Sequence, residues 1–316
     1  MPTSQQSRTS AKVICDSVSP AGVRLTTMEV TFARFVLAEL NTHRTFSRSS
    51  ASSRAIPARK QIRRVVDNPF VPLVWASERP GMQGGDELAG WRKPAAHAAW
   101  RAASLGAAGM ARVMVGLGVH KSIANRLIEP FAEHTAIITA TDWANFFAQR
   151  CSPLAQPELR VAAEAMRAAL GASQPVPVVR DGWHLPYITD EDYVEAKARG
   201  LGDAAVIETM KCVSVARCAR VSYLTHDGRR DIEVDLALYQ KLVEASPPHA
   251  SPLEHVATPC RHLPITFSDF PEPDVCSPGH RGNFRGWDQL RHAVLGGIGP
   301  DALPPDAGDD DSEESN

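Results

Sequence analysis

The sequence predicts a helix-rich chain that also contains strand. Weak alternation near the start, in AKVICDSV (11–18), marks a strand. Several later stretches carry apolar residues at helical spacing between caps and stop signals, and these mark helices. The chain has 316 residues, 43% hydrophobic and 22% charged, with a formal net charge of −2, ample for a sizeable core.

Residues 1–10 are polar and read as disordered. After the strand at 11–18, GVRLTTMEVTFARFVLAEL begins as strand. From about Thr31 its apolar positions 32, 35, 36 and 40 fit a helix. The segment NTHRTFSRSSASSRAIPARK (41–60) is then a turn or loop, because serine favours turns and caps and Pro57 holds Ile56 extended. Residues 66–92, with Pro69, Pro72, Pro80 and GMQGG, read as an inserted loop. Helices follow at about 93–117, 119–128 and 139–150, the last capped by Thr141 or Asp142. A further helix at 152–171 has Ser152 as its cap and Pro153 in its first turn. Residues 172–210 begin with a Pro-rich link. CVSVARCARVSYL starts a strand or a helix, RRDIEVDLALYQKLVEA is an amphipathic helix, SPPHASPLEHVATP is loop, and NFRGWDQLRHAVL is a short terminal helix. The acidic end, 301–316, reads as a disordered tail, leaving 11–300 as a single domain.

Composition excludes some classes. No run of about eighteen apolar residues spans a membrane, and the N-terminus has no apolar signal core. The six scattered cysteines read as reduced thiols, so a cytoplasmic location is expected. A zinc site from Cys260, His262, Cys276 and His280 has a spacing that fits no common finger, and no metal is expected.

Charge is unevenly placed. Arg44, Arg48, Arg54, Arg59, Lys60, Arg63 and Arg64 crowd a stretch with no acidic residue between Glu39 and Asp67. Guanidinium forks and serine hydroxyls match phosphate oxygens, so His43, Arg44, Ser47, Ser52 and Arg54 form a candidate phosphate cradle. A solvated basic surface, or a nucleic-acid contact through 44–64, explains the same residues. Arg126, in NRLIEP, is alone a snorkelling surface residue. Asn145 and Gln149 share a helix face among Trp143, Phe146 and Phe147, with Arg150 next, as a pocket wall for a flat ring or as ordinary core and helix end. HASPLEH offers His249, Ser251, Glu254 and His255, which as a metal pair lacks a third ligand.

Together these clusters resemble the flavin-dependent thymidylate synthases. That family carries Arg-His-Arg followed by a serine and an arginine; the matching run is Thr42-His43-Arg44, then Ser52 and Arg54. Arg126 to Pro130 resembles its arginine with a Leu-Pro-like pair, and Asn145, Phe146, Arg150, Ala155, Gln156, Glu158 and Leu159 resemble its NFxxR…AQxEI helix. Ala219 to Tyr223 and His249 to His255 resemble its ARxSY and HxSPxEH segments, which usually precede the Arg-His-Arg motif and here follow it. The chain departs further at Thr42, at Ser49-Ser50 in place of Asn-Glu, and at Ala55 in place of tyrosine. This arrangement is similar to a divergent, phage-type branch.

The resemblance implies an α+β fold, helix-rich around a central antiparallel sheet. It implies reductive methylation of dUMP to dTMP, with FAD as cofactor, NADPH as reductant and methylenetetrahydrofolate as one-carbon donor. A related pyrimidine modification such as hydroxymethylation is the alternative. Residue by residue, His43, Arg44, Asn145, Ser222, His249, Ser251 and Glu254 would hold FAD. Ser52, Arg54 and Arg126 would hold the dUMP phosphate, and Arg150 would face a uracil carbonyl, with Ser52 and Arg150 as the catalytic pair. The family assembles its sites between subunits of a homotetramer, so these residues need not converge within one chain; the partners expected are small-molecule nucleotide and folate substrates rather than a membrane or nucleic acid.

Overall fold

The computed structural model describes residues 8–221, 230–260 and 283–295. The fold is α+β: helices enclose a five-stranded sheet. Its strands are β1 (Ser10–Val18), β2 (Arg24–Ala33), β3 (Ser47–Ser50), β4 (Glu133–Ala140) and β5 (Val176–Pro177), in the spatial order β3-β4-β2-β1-β5. All neighbours are antiparallel except β5, a two-residue parallel strand on the edge of β1, so the central sheet is antiparallel as expected and mixed only at that edge.

β4 is the strand the sequence concealed. Its run EHTAIITA is buried on both faces, so the alternation that marks a half-exposed strand is missing. On one face Met28, Val30 and Phe32 of β2 and Ala136, Ile138 and Ala140 of β4 form the main core. They pack on Phe146 of α5 (Ala144–Arg150) and on Leu159 and Met166 of α6 (Pro157–Ala172). Each large apolar side chain removed from water in this layer contributes about 1.5–3 kcal/mol. The opposite face presents Thr27, Ile137 and Thr139, covered in part by Cys218 and Val221.

Several boundaries differ from expectation. β2 continues to Ala33, and after one 3-10 turn α1 (Leu37–Asn41) is short, so no helix starts at Thr31. The basic segment is not all loop: Ser47–Ser50 pair with β4 as an edge strand, and residues 58–67 form α2 (Ala58–Asp67). That helix escaped notice because only Ala58, Ile62 and Val65 are buried among its charges. The loop expected at 66–92 spans 68–91, between α2 and α3 (Arg92–Gly116). That second helix leads to α4 (Lys121–Ala124) and a 3-10 turn at Asn125–Phe131 that includes Pro130. Asp142 accepts a hydrogen bond from the Ala144 amide (3.1 Å) at the start of α5, while residues 139 and 140 belong to β4. Pro157, not Pro153, occupies the first turn of α6, and Ser152 caps a preceding turn through the Leu154 amide (3.2 Å).

The stretch 172–210 is more than a link. It carries β5, the buried His184, α7 (Asp190–Ala198) and the start of α8 (Asp203–Arg220). Thr189 and Asp192 close a capping box on α7. Asp231 caps α9 (Ile232–Val243) by accepting from the amides of Glu233 and Val234. Arg217 of α8 donates twice to Asp192 (2.8 Å each) and once to Asp235 (2.9 Å), all three groups buried, and so bolts α7, α8 and α9 together. A 3-10 turn at Ser251–His255 leads into the ribbon of β6 (Ala257–Pro259) and β7 (Trp287–Gln289), and α10 (Leu290–Leu295) follows. The expected terminal helix is therefore confined to Leu290–Leu295, with strand β7 directly before it. The expected disordered ends, apart from residues 8–10, and three of the four proposed zinc ligands lie outside the described residues. Among the described residues no helix is long and apolar enough to cross a membrane, and no three metal-ligand side chains gather.

Candidate functional site

A cleft of about 590 Å³ opens at the β3 edge of the sheet. One wall is the serine-arginine segment, with Arg48, Ser49, Ser50, Ser52 and Arg54. The other is built from far along the chain, where His249, Ser251 and Pro252 stand with Ala219 of α8 and Leu242 of α9. Lys121, at the start of α4, adds a third cation, and among the described residues no carboxylate lines the cleft. The two walls meet because the 251–255 turn packs on both β3 and α8. Ala219, the first residue of the segment that resembles ARxSY, and the segment that resembles HxSPxEH thus return to the Arg-His-Arg segment despite their altered order.

The serine-arginine wall is pinned from behind. Asn125, fully buried, donates to the carbonyls of Ser53 (2.7 Å) and Ile56 (3.0 Å). Near the C-terminus Asn283 donates to the Thr45 carbonyl (2.7 Å), and its side-chain carbonyl accepts from the Ser47 hydroxyl (3.0 Å) and from Gln289 (2.9 Å). Neither anchor was legible in the sequence, since single amides in unremarkable surroundings carry no motif. Ser49, 5% exposed, lines the cleft, and its hydroxyl is buried without a hydrogen-bond partner among the described residues. A buried orphan hydroxyl carries a desolvation cost that an incoming acceptor or donor relieves.

A second group lies behind this wall. Arg150 donates from Nε to His43 Nε2 (2.8 Å) and from Nη2 to the Thr42 hydroxyl (3.1 Å). His43 Nε2 is therefore an acceptor, and the ring proton sits on Nδ1. Burial, then the guanidinium charges of Arg150 and Arg48, hold His43 below the ordinary imidazole range, so the ring is neutral at pH 7. Arg48 joins the two groups: it lines the cleft while donating to the His43 carbonyl (2.9 Å). Glu254 does not line the cleft; it pairs with Arg291 and lends Arg48 favourable charge from behind.

The expected site residues therefore divide. Ser52, Arg54, His249 and Ser251 converge on the cleft. His43 and Arg150 bind each other outside its lining. Asn145 is exposed and accepts from Gln149 (3.0 Å), and Arg44 is exposed on the turn before β3. Arg126 lies outside the cleft, held by Glu129 (3.1 Å), because the 3-10 turn directs it to solvent. Ser222 falls outside the described residues. Lys121 belongs to none of the motifs in the sequence, and Arg48, an arginine that could compensate for Thr42, also lines the cleft.

The HASPLEH segment also feeds a buried chain. His255 Nδ1 meets the Thr139 hydroxyl (2.7 Å), which meets Thr27 (2.7 Å), which meets His184 Nε2 (2.8 Å). His184 Nδ1 then meets the Ser17 hydroxyl (2.8 Å). Burial pushes both imidazoles down to about 3, so both are neutral.

Fold and cleft together define an α+β protein whose sheet edge carries a cationic, serine-lined recess. The chain belongs to the Thy1 family, the thymidylate synthase complementing proteins: a model of that family matches residues 17–176, half of the chain. The segments at 219–223 and 249–255 lie beyond that match. Among solved structures the chain is similar to a UMP/dUMP methylase, PolB, from Streptomyces cacaoi bound with 5-Br dUMP, at 16% identity and a TM-score of 0.42 over 52% of this chain and 90% of that one. It is also similar to thymidylate synthase X from Helicobacter pylori with FAD and dUMP, at 19% identity and a TM-score of 0.32 over 46% of this chain and 67% of that one. No curated protein matches the chain.

Proposed function

We propose that the protein is a flavin-dependent enzyme of dUMP, and that its reaction is reductive methylation of C5 to give dTMP. The observation that carries this reading is the convergence of Ser52 and Arg54 with His249 and Ser251 on one carboxylate-free cleft, in a chain of the Thy1 family. The unpartnered Ser49 hydroxyl and the three lining cations suit an anionic nucleotide.

Arg54 and Ser52 would grip the nucleotide phosphate, the guanidinium as a planar fork and the hydroxyl as a single donor. His249 and Ser251, across the cleft, would hold FAD, with Arg44 and Asn145 contributing from the exposed surface. FAD, when bound and reduced by NADPH, supplies the hydride chemistry, and methylenetetrahydrofolate supplies the carbon. Arg150 would place positive charge near a uracil carbonyl and stabilise enolate character as C5 becomes nucleophilic. Among the described residues its Nη1 is uncommitted, while Nε and Nη2 are held by His43 and Thr42. His43 thus orients Arg150, and the Thr42 hydroxyl stands where the family has an arginine. Because Arg44 and Asn145 face outward, a homotetramer in which they meet a neighbouring subunit's cleft completes the reading. Residues 11–300 act as one catalytic domain.

The test is direct. The purified protein is expected to bind FAD, giving a flavin absorbance spectrum, and to convert dUMP to dTMP with methylenetetrahydrofolate and NADPH. Arg54→Ala and Arg150→Ala are each expected to abolish product while leaving the fold intact by circular dichroism. Mass spectrometry of the nucleotide separates methylation from hydroxymethylation. Full activity in both variants, or no flavin binding, refutes the assignment.

A further inference from the structure

We propose that Lys121 and the Ser49 hydroxyl complete the phosphate subsite beside Arg54, the lysine supplying the second cation that the family resemblance places at Arg126. This rests on the nucleotide reading above and assigns recognition to residues outside the motifs that led to it.

Three observations point here. Lys121 is half-buried in the cleft wall, and its ammonium donates to the Ala55 carbonyl (3.2 Å), one residue past Arg54. That bond draws the charge toward the segment bearing Ser52 and Arg54. An ammonium has three N–H donors, so two are left for ligand oxygens. Next, Lys121 has no carboxylate partner among the described residues, whereas Arg126 is neutralised by Glu129 at 3.1 Å. A partly desolvated cation without a counter-ion, in a lining without acidic groups, is poised for an anion. Finally, Ser49 belongs to the same lining, and its hydroxyl is buried and orphaned among the described residues. It stands at the family's asparagine position, where a hydroxyl offers one donor.

Lys121 is carried by α4, whose start is fixed by His120, the ring nitrogen of which accepts from the Ser122 amide (3.3 Å). Asn125, four residues on, ties the same turn to the carbonyls of Ser53 and Ile56. The lysine and the serine-arginine wall therefore keep a set separation, which favours one size of anion over a diffuse basic surface.

The experiment compares wild type, Lys121→Ala, Lys121→Arg and Ser49→Ala by calorimetric titration of FAD-supplemented full-length protein with dUMP, deoxyuridine and inorganic pyrophosphate. Loss of a charge-assisted contact corresponds to about 10- to 100-fold in affinity. Lys121→Ala is expected to weaken dUMP by that factor and leave deoxyuridine within about twofold of wild type. Lys121→Arg is expected to recover most of the loss, and Ser49→Ala to weaken dUMP by a factor of about 3 to 10. Unchanged dUMP affinity in Lys121→Ala overturns the proposal. So does equal weakening of dUMP and deoxyuridine, which marks a merely structural lysine. If wild type binds pyrophosphate but not dUMP, and Lys121→Ala loses pyrophosphate, the anion subsite stands and the nucleotide reading falls. If wild type binds none of the three, both fall.

Discussion

Replacing Thr139 with valine breaks the buried chain that joins HASPLEH to the sheet. Its hydroxyl lies 2.7 Å from Thr27 and 2.7 Å from His255 Nδ1, and all three residues are fully buried. Each hydroxyl has one proton, so the two threonines must point the same way along the chain, and losing one link disturbs both neighbours. Valine keeps the shape and removes the hub. Thr27 then retains only His184, and His255, whose Nε2 already lacks a partner among the described residues, retains nothing. A lost hydrogen bond is worth about 1 kcal/mol and a stranded buried polar group costs about 1–3 kcal/mol. The expected destabilisation is therefore about 2–4 kcal/mol. Thr139→Ser keeps the hydroxyl and is expected to cost about 1 kcal/mol, from the lost methyl group. Urea unfolding followed by far-ultraviolet circular dichroism reads both. A Thr139→Val midpoint equal to wild type, or a serine variant as damaged as the valine one, refutes the reasoning.

Three further outcomes are expected. His134, His184 and His255 are held at about 3, mainly by burial, against an ordinary imidazole value of about 6.5. Between those values the unfolded chain binds more protons than the folded one. Stability is thus full above about pH 6.5 and falls on acidification, by up to about 1.4 kcal/mol per pH unit for each ring. Lowering the pH from 7 to 5.5 should cost roughly 4 kcal/mol for the three together, and a flat urea midpoint over that range would contradict it. Arg217→Ala strands Asp192 and part of Asp235 and should cost at least about 3 kcal/mol, read by thermal melting; a change under about 1 kcal/mol would show the cluster is solvated. Asn125→Ala frees the carbonyls of Ser53 and Ile56, and should both destabilise by about 2 kcal/mol and weaken dUMP binding; unaltered dUMP affinity would detach the anchor from the cleft.

Residue identity and short-range pattern decided the chemistry on offer. The dense arginine and serine segment, the spacing of Asn145, Phe146 and Arg150, and the HASPLEH run were legible because each is contiguous, and the α+β class and the family followed from them. The helices α3, α6 and α9 were legible for the same reason, since their periodicity is local, although the start of α6 falls at Pro157 rather than Ser152. Partnership was not. β4 is wrapped on both faces and so lost its alternation, and α2 hid three buried residues among charges. Whether a cation faces the cleft depends on packing. Arg126 and Lys121 lie five positions apart, yet the turn at Asn125–Phe131 sends one to Glu129 and the chain's return at α4 leaves the other in the wall. Only the tertiary structure could seat 249–252 opposite 48–55, because their approach depends on the packing of the 251–255 turn against β3, a contact between residues some two hundred positions apart.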